Sequence, residues 1–327
     1  MSISASELLA IRDFLVIVAK EAGDIITSAK PSSSNLATKK NTTDIVTDTD
    51  KAVENLIATR LIARYPEYEF VGEESFDAAR ESITAAPTWV VDPIDGTSNF
   101  VRGLPEVCVS LALVVARRPA VGVVYNPFRR ELFAAVAGAG AFHQHPALNA
   151  GAPRPLIPAG ARDDDDDDDD DDAHPPPPLT GLRDACVGID FGSDRSGPDF
   201  ALNLAVFAAL ASSAGGFARA LRATSCASES VCRVAAGQLD CWWECGAHAW
   251  DVAAAWCVLS EAGGVMVDGH PGGDGSGWDP PIDNRRYLAV RPARGGQREL
   301  VEEFWGLVGE GRSTYGPPPP LPPPSSS

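Results

Sequence analysis

The stretch WVVDPIDGTSNF, Trp89 to Phe100, constrains this chain more than any other. Trp89-Val90-Val91 is a short apolar run of the kind presented by a strand buried on both faces. Asp92 is expected to end the strand, Pro93 to stop sheet pairing, and Asp95-Gly96-Thr97 to turn the chain. Two carboxylates on such a turn point into one small volume, and oxygen-only ligands suit hard cations such as magnesium. Gly96 lets the backbone approach a ligand closely. If a helical turn begins there, the following N–H groups face an anion. Two readings are open at this point: a turn that holds a metal and a phosphate side by side, or a strand that ends in an acidic surface turn.

The chain's 327 residues, 44% of them hydrophobic, suffice for one large domain or two modest ones with a sizeable core. The net charge of −18 is dominated by Asp163 to Asp172, an unbroken run of ten aspartates, without which 35 acids face 27 bases. A mildly acidic remainder argues against a nucleic-acid-binding surface. The seven cysteines include no CxxC pair and sit mostly among apolar neighbours, which fits buried reduced thiols in a cytoplasmic protein. Cys241 and Cys245 lie near Glu244 and His248, but no second pair stands at a zinc-finger spacing, so no zinc site is expected. No run of about eighteen apolar residues suggests a membrane span, and the N-terminus carries no secretion signal.

Helical spacing of Leu9, Ile11, Phe14, Leu15, Val18, Ala22, Ile25 and Ile26 predicts a packing helix over Ser6 to Lys30. A polar loop, Lys39 to Asp50, follows, with Thr47 or Thr49 capping a second helix that ends before Pro66. Tyr68 to Val71 reads as a strand that runs out into Gly72-Glu73-Glu74-Ser75, as Trp89 to Val91 runs out into Asp92. Val107 to Ala116, Ala120 to Asn126 and Glu131 to Val136 are further strands, consecutive and so antiparallel. From Ala147 to Pro178 the composition predicts a solvated, disordered insertion. Beyond it come a strand at Ala185 to Phe191, a turn at Gly192-Ser193-Asp194-Arg195, and a helix at Phe200 to Ser213. Ser228 to Gly237 and Ala249 to Glu261 read as helices, and Leu239 to Glu244, Val265 to Asp268 and Leu288 to Arg291 as strands. A last helix is expected at Glu299 to Leu307, before a polyproline and serine tail. The organisation expected is a metal- and phosphate-binding half over 1–146, the insertion over 147–180, a half completing the active site over 181–311, and a disordered tail over 312–327.

Four acidic segments occur in order: DIVTDTD at Asp44 to Asp50, GEES at Gly72 to Ser75, DPIDGTSNF at Asp92 to Phe100, and AWDVAAAWCVLSEAGG at Ala249 to Gly264. Together they resemble the inositol monophosphatase family of lithium-sensitive, magnesium-dependent phosphatases, over roughly Leu8 to Leu307 apart from the insertion. One such motif is a modest signal; four in order are strong, because chance matches multiply. The resemblance implies an α/β (α+β) layered sandwich, αβαβα, with mixed and antiparallel sheets flanked by helices, and a homodimer. It implies two or three Mg2+ per active site and inhibition by Li+. Glu73, Asp92, the Ile94 carbonyl, Asp95 and Asp251 would be the metal ligands, with Asp92 bridging two ions. Asp50 and Thr97 would position and deprotonate the attacking water, with Glu73 also counted among the catalytic groups. Gly96 and Thr97 would donate backbone N–H groups to the phosphate, beside Asp95. Glu244, Ala227 and the turn at Gly192-Ser193 would hold sugar-alcohol hydroxyls, and Lys39 matches a lysine of the family's flexible metal-binding loop. Ser225-Cys226-Ala227 departs from the usual Gly-Ser/Thr-Ala turn.

The residue types also make chemical sense without the family. A phosphate monoester dianion repels an incoming nucleophile, so its charge must be neutralised, and carboxylate-held divalent ions do this. The expected activity is hydrolysis of inositol monophosphate by direct attack of water. Rival readings are a relative acting on histidinol phosphate, fructose bisphosphate or a phosphoadenosine nucleotide, and a non-catalytic regulatory or scaffold protein.

Overall fold

The computed structural model describes residues 3–29, 37–38, 45–76, 82–156, 177–272 and 276–315. Lys39, the aspartate run and residues 316–327 lie outside these. The first helix, α1 (Ala5–Ser28), is capped by Ser4, whose hydroxyl accepts from the Glu7 amide, and buries Ile11, Leu15, Val18, Ala22 and Ile26 on one face. Two short strands, β1 (Ala37–Thr38) and β2 (Ile45–Val46), pair antiparallel. Thr47 then caps α2 (Asp48–Arg64) in a reciprocal capping box with Asp50.

A seven-stranded sheet follows: β3 (Glu69–Gly72), β4 (Thr88–Asp95), then, after a one-turn helix α3 (Thr97–Arg102), β5 (Cys108–Val115), β6 (Arg118–Asn126), β7 (Glu131–Val136), β8 (Gly140–Gln144) and β9 (Arg154–Leu156), paired in that order. Only β3 and β4 run parallel; the later pairs are antiparallel. A second sheet takes its strands from β10 (Cys186–Ile189), β11 (Ala220–Arg222), β12 (Cys241–Cys245), β13 (Val265–Asp268) and β14 (Arg286–Val290), in the spatial order β11-β10-β12-β14-β13. Between and around these strands lie α4 (Gly197–Ala211), α5 (Ala227–Ala235), α6 (Ala249–Glu261) and α7 (Gln297–Val308).

Strand alternation divides the interior into three cores and fixes the layers. Val91, Leu111, Leu113, Val121 and Val123 face α1 and α2. Their neighbours Val90, Ala112, Val114 and Val124 face the opposite way, onto α5, α6 and the second sheet's Trp242 and Ala289. On that sheet's far side Trp243, Leu288 and Val290 pack with Val206 and Leu210 of α4 and with Phe304 and Val308 of α7. The order is therefore helix, sheet, helix, sheet, helix. Close approach of the central layer depends on Gly122: a Cβ there would lie 2.1 Å from the Ala254 carbonyl of α6.

Several expectations need correction. The strand at Trp89 does not end at Asp92: β4 continues to Asp95, with a register shift between Asp92 and Asp95 where Pro93 lacks an N–H to pair. Residues 147–156, expected to lie in the solvated insertion, contain β9, which pairs with β8. Residues 312–315, assigned to the disordered tail, are described and make specific contacts. The second sheet is mixed, as the expected fold class has it, since β10 runs parallel to both β11 and β12. Among the described residues, no helix is long and apolar enough to cross a membrane.

Candidate active site

A cavity of about 340 Å3 opens where β3, β4, β10 and β12 end and where α3, α5 and α6 begin. Ends of strands and starts of helices meet there because both sheets present the same edge to the helix layer between them.

The irregular end of β4 supplies Asp92, Ile94 and Asp95, and Gly96 closes it. Gly96 takes φ +91°, and a Cβ on it would lie 2.5 Å from the Glu106 carbonyl, so any other residue is excluded on two grounds. α3 starts at the next residue, so the amides of its first turn have no partner within their own helix. Glu73 follows β3, in a turn that buried Glu54 of α2 secures by accepting the Glu74 amide at 2.8 Å. Asp251 sits in the first turn of α6, where the helix dipole favours a carboxylate, and accepts the His248 amide at 2.6 Å. Ser110 of β5 anchors that turn by donating to the Trp250 carbonyl at 2.9 Å.

Asp92 and Asp95 are buried, with Glu73 and Asp251 half-buried beside them. Asp92 is pushed well above the usual carboxylate range by burial, and then by the neighbouring charges of Glu73, Asp95 and Asp251. Burial raises Asp95 to about 7 despite the hydrogen bonds it receives from Ser228 and Cys226. Burial likewise raises Asp251, with Asp95 and Glu73 adding to the shift. The Ile94 amide donates to Asp92 Oδ1 at 2.9 Å, which aims that carboxylate. Among the described residues lining the cavity only Arg195 is cationic, and its Nη1 donates to the Gly192 and Asp194 carbonyls. Buried carboxylates with so little positive charge among them, supplemented by a backbone carbonyl, form a donor set suited to hard divalent cations.

Asp50 of α2 is fully buried and does not itself line the cavity; it meets the site through Thr97, which does. Its Oδ2 accepts the Thr47 amide at 2.9 Å and the Thr47 hydroxyl, while Oδ1 lies 3.1 Å from the Thr97 hydroxyl. The Thr97 hydroxyl is also 3.1 Å from the Ile94 carbonyl, and its single proton serves one of the two at a time. Burial raises the Asp50 pKa against the pull of these hydrogen bonds. A base held by a capping threonine and joined to a second hydroxyl is equipped to orient a water and accept its proton.

Glu244, Gly192 and Ala227 line the same cavity. Glu244 is densely surrounded yet opens on the cavity, and burial, then Asp190, raises its pKa. Ser193 is not among the lining residues, whereas its neighbours Gly192 and Arg195 are. Asp190, Phe191, Arg195 and Cys226 line the cavity although the sequence reading gave none of them a role in the site. For Asp190 a signal was present: it is an acid at the point where a strand runs out, as Glu73 and Asp92 are.

Asp190 also explains how the departed glycine is tolerated. Ser225 takes the left-handed conformation, φ +54°, that a glycine adopts without strain. Asp190 Oδ1 accepts the Ser225 amide at 2.9 Å, and Asn99 Nδ2 donates to the preceding Thr224 carbonyl at 2.7 Å. The turn survives the substitution because the peptide joining Thr224 to Ser225 is held at both its carbonyl and its amide.

Cys241 and Cys245 are buried on the face of β12 opposite Glu244, so alternation along the strand separates the groups a zinc site would need. Cys108, Cys226 and Glu229 form a tighter group, with ligand atoms within 4.8 Å of one another. Glu229 there already accepts from Arg129, from Arg233 Nε at 2.9 Å and from Asn126 at 3.1 Å. Burial pushes the Cys108 thiol up to about 11 and raises Cys226 as well, so this group offers a cation little.

The sequence matches the inositol monophosphatase family over residues 7–308. It is 38% identical to inositol monophosphatase 2 of Saccharomyces cerevisiae over 83% of this chain and 84% of that one. It is 35% identical to inositol monophosphatase 1 of the same yeast, over 92% and 97%. The fold resembles the crystal structure of the extragenic suppressor protein suhB from Bartonella henselae, with a TM-score of 0.69 and 25% identity over 93% of this chain and 100% of that one.

Proposed function

This chain belongs to the inositol monophosphatase family and is a phosphatase, and from that premise we propose that it hydrolyses inositol monophosphate to inositol and phosphate in a magnesium-dependent reaction. One observation carries the reading: Glu73, Asp92, Asp95 and Asp251, drawn from three separate parts of the chain, line one cavity beside the Asp50–Thr97 pair. Glu73, Asp92, the Ile94 carbonyl, Asp95 and Asp251 would hold magnesium. When bound, the metal neutralises the phosphate's charge, acidifies the attacking water and stabilises the departing alkoxide.

The chain's own groups supply the rest. Asp50 and Thr97 orient the water and take its proton, a reading supported by the 3.1 Å contact between the Thr97 hydroxyl and Asp50 Oδ1. Gly96 and Thr97 offer amides to the phosphate at the start of α3. Glu244 and the Gly192 turn face the alcohol portion, where carboxylate and carbonyl acceptors suit a ring of hydroxyl donors. The yeast relatives' names support the inositol substrate.

The test is phosphate release from inositol 1-phosphate with and without magnesium, followed by addition of lithium. Turnover that requires magnesium and falls with lithium is expected. Magnesium-independent turnover, or a clear preference for histidinol phosphate, fructose bisphosphate or a phosphoadenosine nucleotide, would overturn the assignment.

A further inference from the structure

Beyond α7 the chain turns at Gly309 and crosses to the alcohol side of the cavity, where residues 311–315 are gripped along their length. The Gly311 carbonyl lies 3.1 Å from His270 Nδ1. Asp199, in the first turn of α4, accepts the Ser313 hydroxyl and the Thr314 amide, each at 2.7 Å, and the Thr314 hydroxyl as well. Arg286 Nη1 donates to the Tyr315 carbonyl at 2.8 Å. The Tyr315 ring lies under the Arg285 guanidinium, 4.7 Å from its centroid, and against Gly246, where a Cβ would come within 3.2 Å of the ring. Its hydroxyl donates to Asp194 Oδ2.

Asp194 belongs to the Gly192–Arg195 turn, which lines the cavity with Gly192 and Arg195, and Gly246 lies two residues past Glu244. The same aromatic side chain therefore buttresses both chain segments on the alcohol side. A connecting turn has no hydrogen-bonded ladder of its own, so its geometry is set by whatever grips it.

We infer that Tyr315 is a positioning residue: through Asp194 it fixes the Gly192–Arg195 turn in the shape that receives the alcohol portion of the phosphate ester. The inference rests on the functional reading above, which puts the alcohol at this end of the cavity. Releasing the strap leaves the chemistry at Asp50, Thr97 and the metal-binding acids untouched. The substrate must then wait for the turn to adopt its competent shape, and apparent affinity falls in proportion to the competent fraction. The loss belongs in KM, with kcat preserved.

Three forms of the full chain test this: one ended after Tyr315, one ended after Gly311, and Tyr315→Phe, which keeps the ring and deletes only the hydroxyl. Removing 316–327 is expected to change neither KM for inositol 1-phosphate nor amide exchange at 191–195. Ending the chain after Gly311 should raise KM about tenfold, a turn competent about a tenth of the time, with kcat within about twofold and exchange at 191–195 accelerated. Tyr315→Phe should shift both in the same direction, KM by about threefold on the same scale, and it guards against misfolding of the shorter chain. An unchanged KM in both strap variants overturns the inference, even if exchange accelerates. A fall in kcat at constant KM overturns it too. Absence of turnover by the unmodified chain counts against the inositol phosphate reading alone, because exchange at 191–195 reports on the strap without substrate.

Discussion

The amide of Ser228 donates to Oδ2 of Asp95 at 2.6 Å, joining two residues 133 positions apart. Ser228 also donates its hydroxyl to the Asp251 carbonyl at 2.7 Å. One residue at the start of α5 thus ties the carboxylate end of β4 to the first turn of α6. Asp95 at the end of β4 and Asp251 at the start of α6 keep their relative positions because a helix terminus stands between them.

Asp92→Asn should abolish phosphatase turnover while leaving the fold intact. Losing several kcal/mol of charge stabilisation, at about 1.4 kcal/mol per tenfold, lowers kcat by at least about a thousandfold. Circular dichroism should be unaltered. Appreciable residual turnover would refute Asp92 as a metal ligand.

Thr97→Val and Asp50→Asn should each lower kcat by about a hundredfold or more, the range for loss of a positioned proton acceptor, with a smaller effect on KM. Because the two act as one unit through their 3.1 Å contact, the double variant should lose little more than the worse single one. Asp50→Asn should in addition cost about 1 kcal/mol of stability by weakening the α2 capping box. Fully additive kcat losses would argue against a pair.

The metal-stripped protein should lose stability as pH rises. Asp95 has a folded-state pKa of about 7 against an ordinary 3.8. Between these values the folded chain retains a proton that the unfolded chain has released, so the balance tilts toward unfolding with increasing pH. Melting curves in chelator from pH 4.5 to 8 should show wild type falling relative to Asp95→Asn, the gap levelling off above about pH 7. Saturating magnesium should remove the decline in wild type, since a cation compensates the ionised carboxylate. A gap that narrows with pH would contradict the burial-driven shift.

Ser225→Gly should stabilise the protein slightly. Relief of a left-handed non-glycine residue is worth about 1–2 kcal/mol, and the added freedom of glycine in the unfolded chain takes back about 0.4–1 kcal/mol. A net gain of about 0.5–1 kcal/mol corresponds to a rise in Tm of about 1–4 °C. A lower Tm would mean that the Ser225 side chain contributes more than its backbone strain costs.

The sequence by itself determined most of the larger helices and strands and brought out the acids of the four motifs. Glu131–Val136, Ala249–Glu261 and Val265–Asp268 are where apolar periodicity puts them, because burial of one face dictates that spacing locally. The family and its layered fold were legible in four acidic motifs, since each ends a strand or starts a helix within a dozen residues. Tertiary structure alone decided what depends on distant partners. The continuation of β4 past Pro93 needs β5 alongside, and the tolerance of Ser225 needs Asp190 from another strand. β9 carries little hydrophobic signal of its own and exists through its pairing with β8. The grip of Asp199 and Asp194 on residues 313–315 spans more than a hundred positions, with polar residues that read in sequence as an ordinary tail. Local pattern encodes which side of an element is buried; hydrogen bonds between remote polar groups leave no periodicity to read.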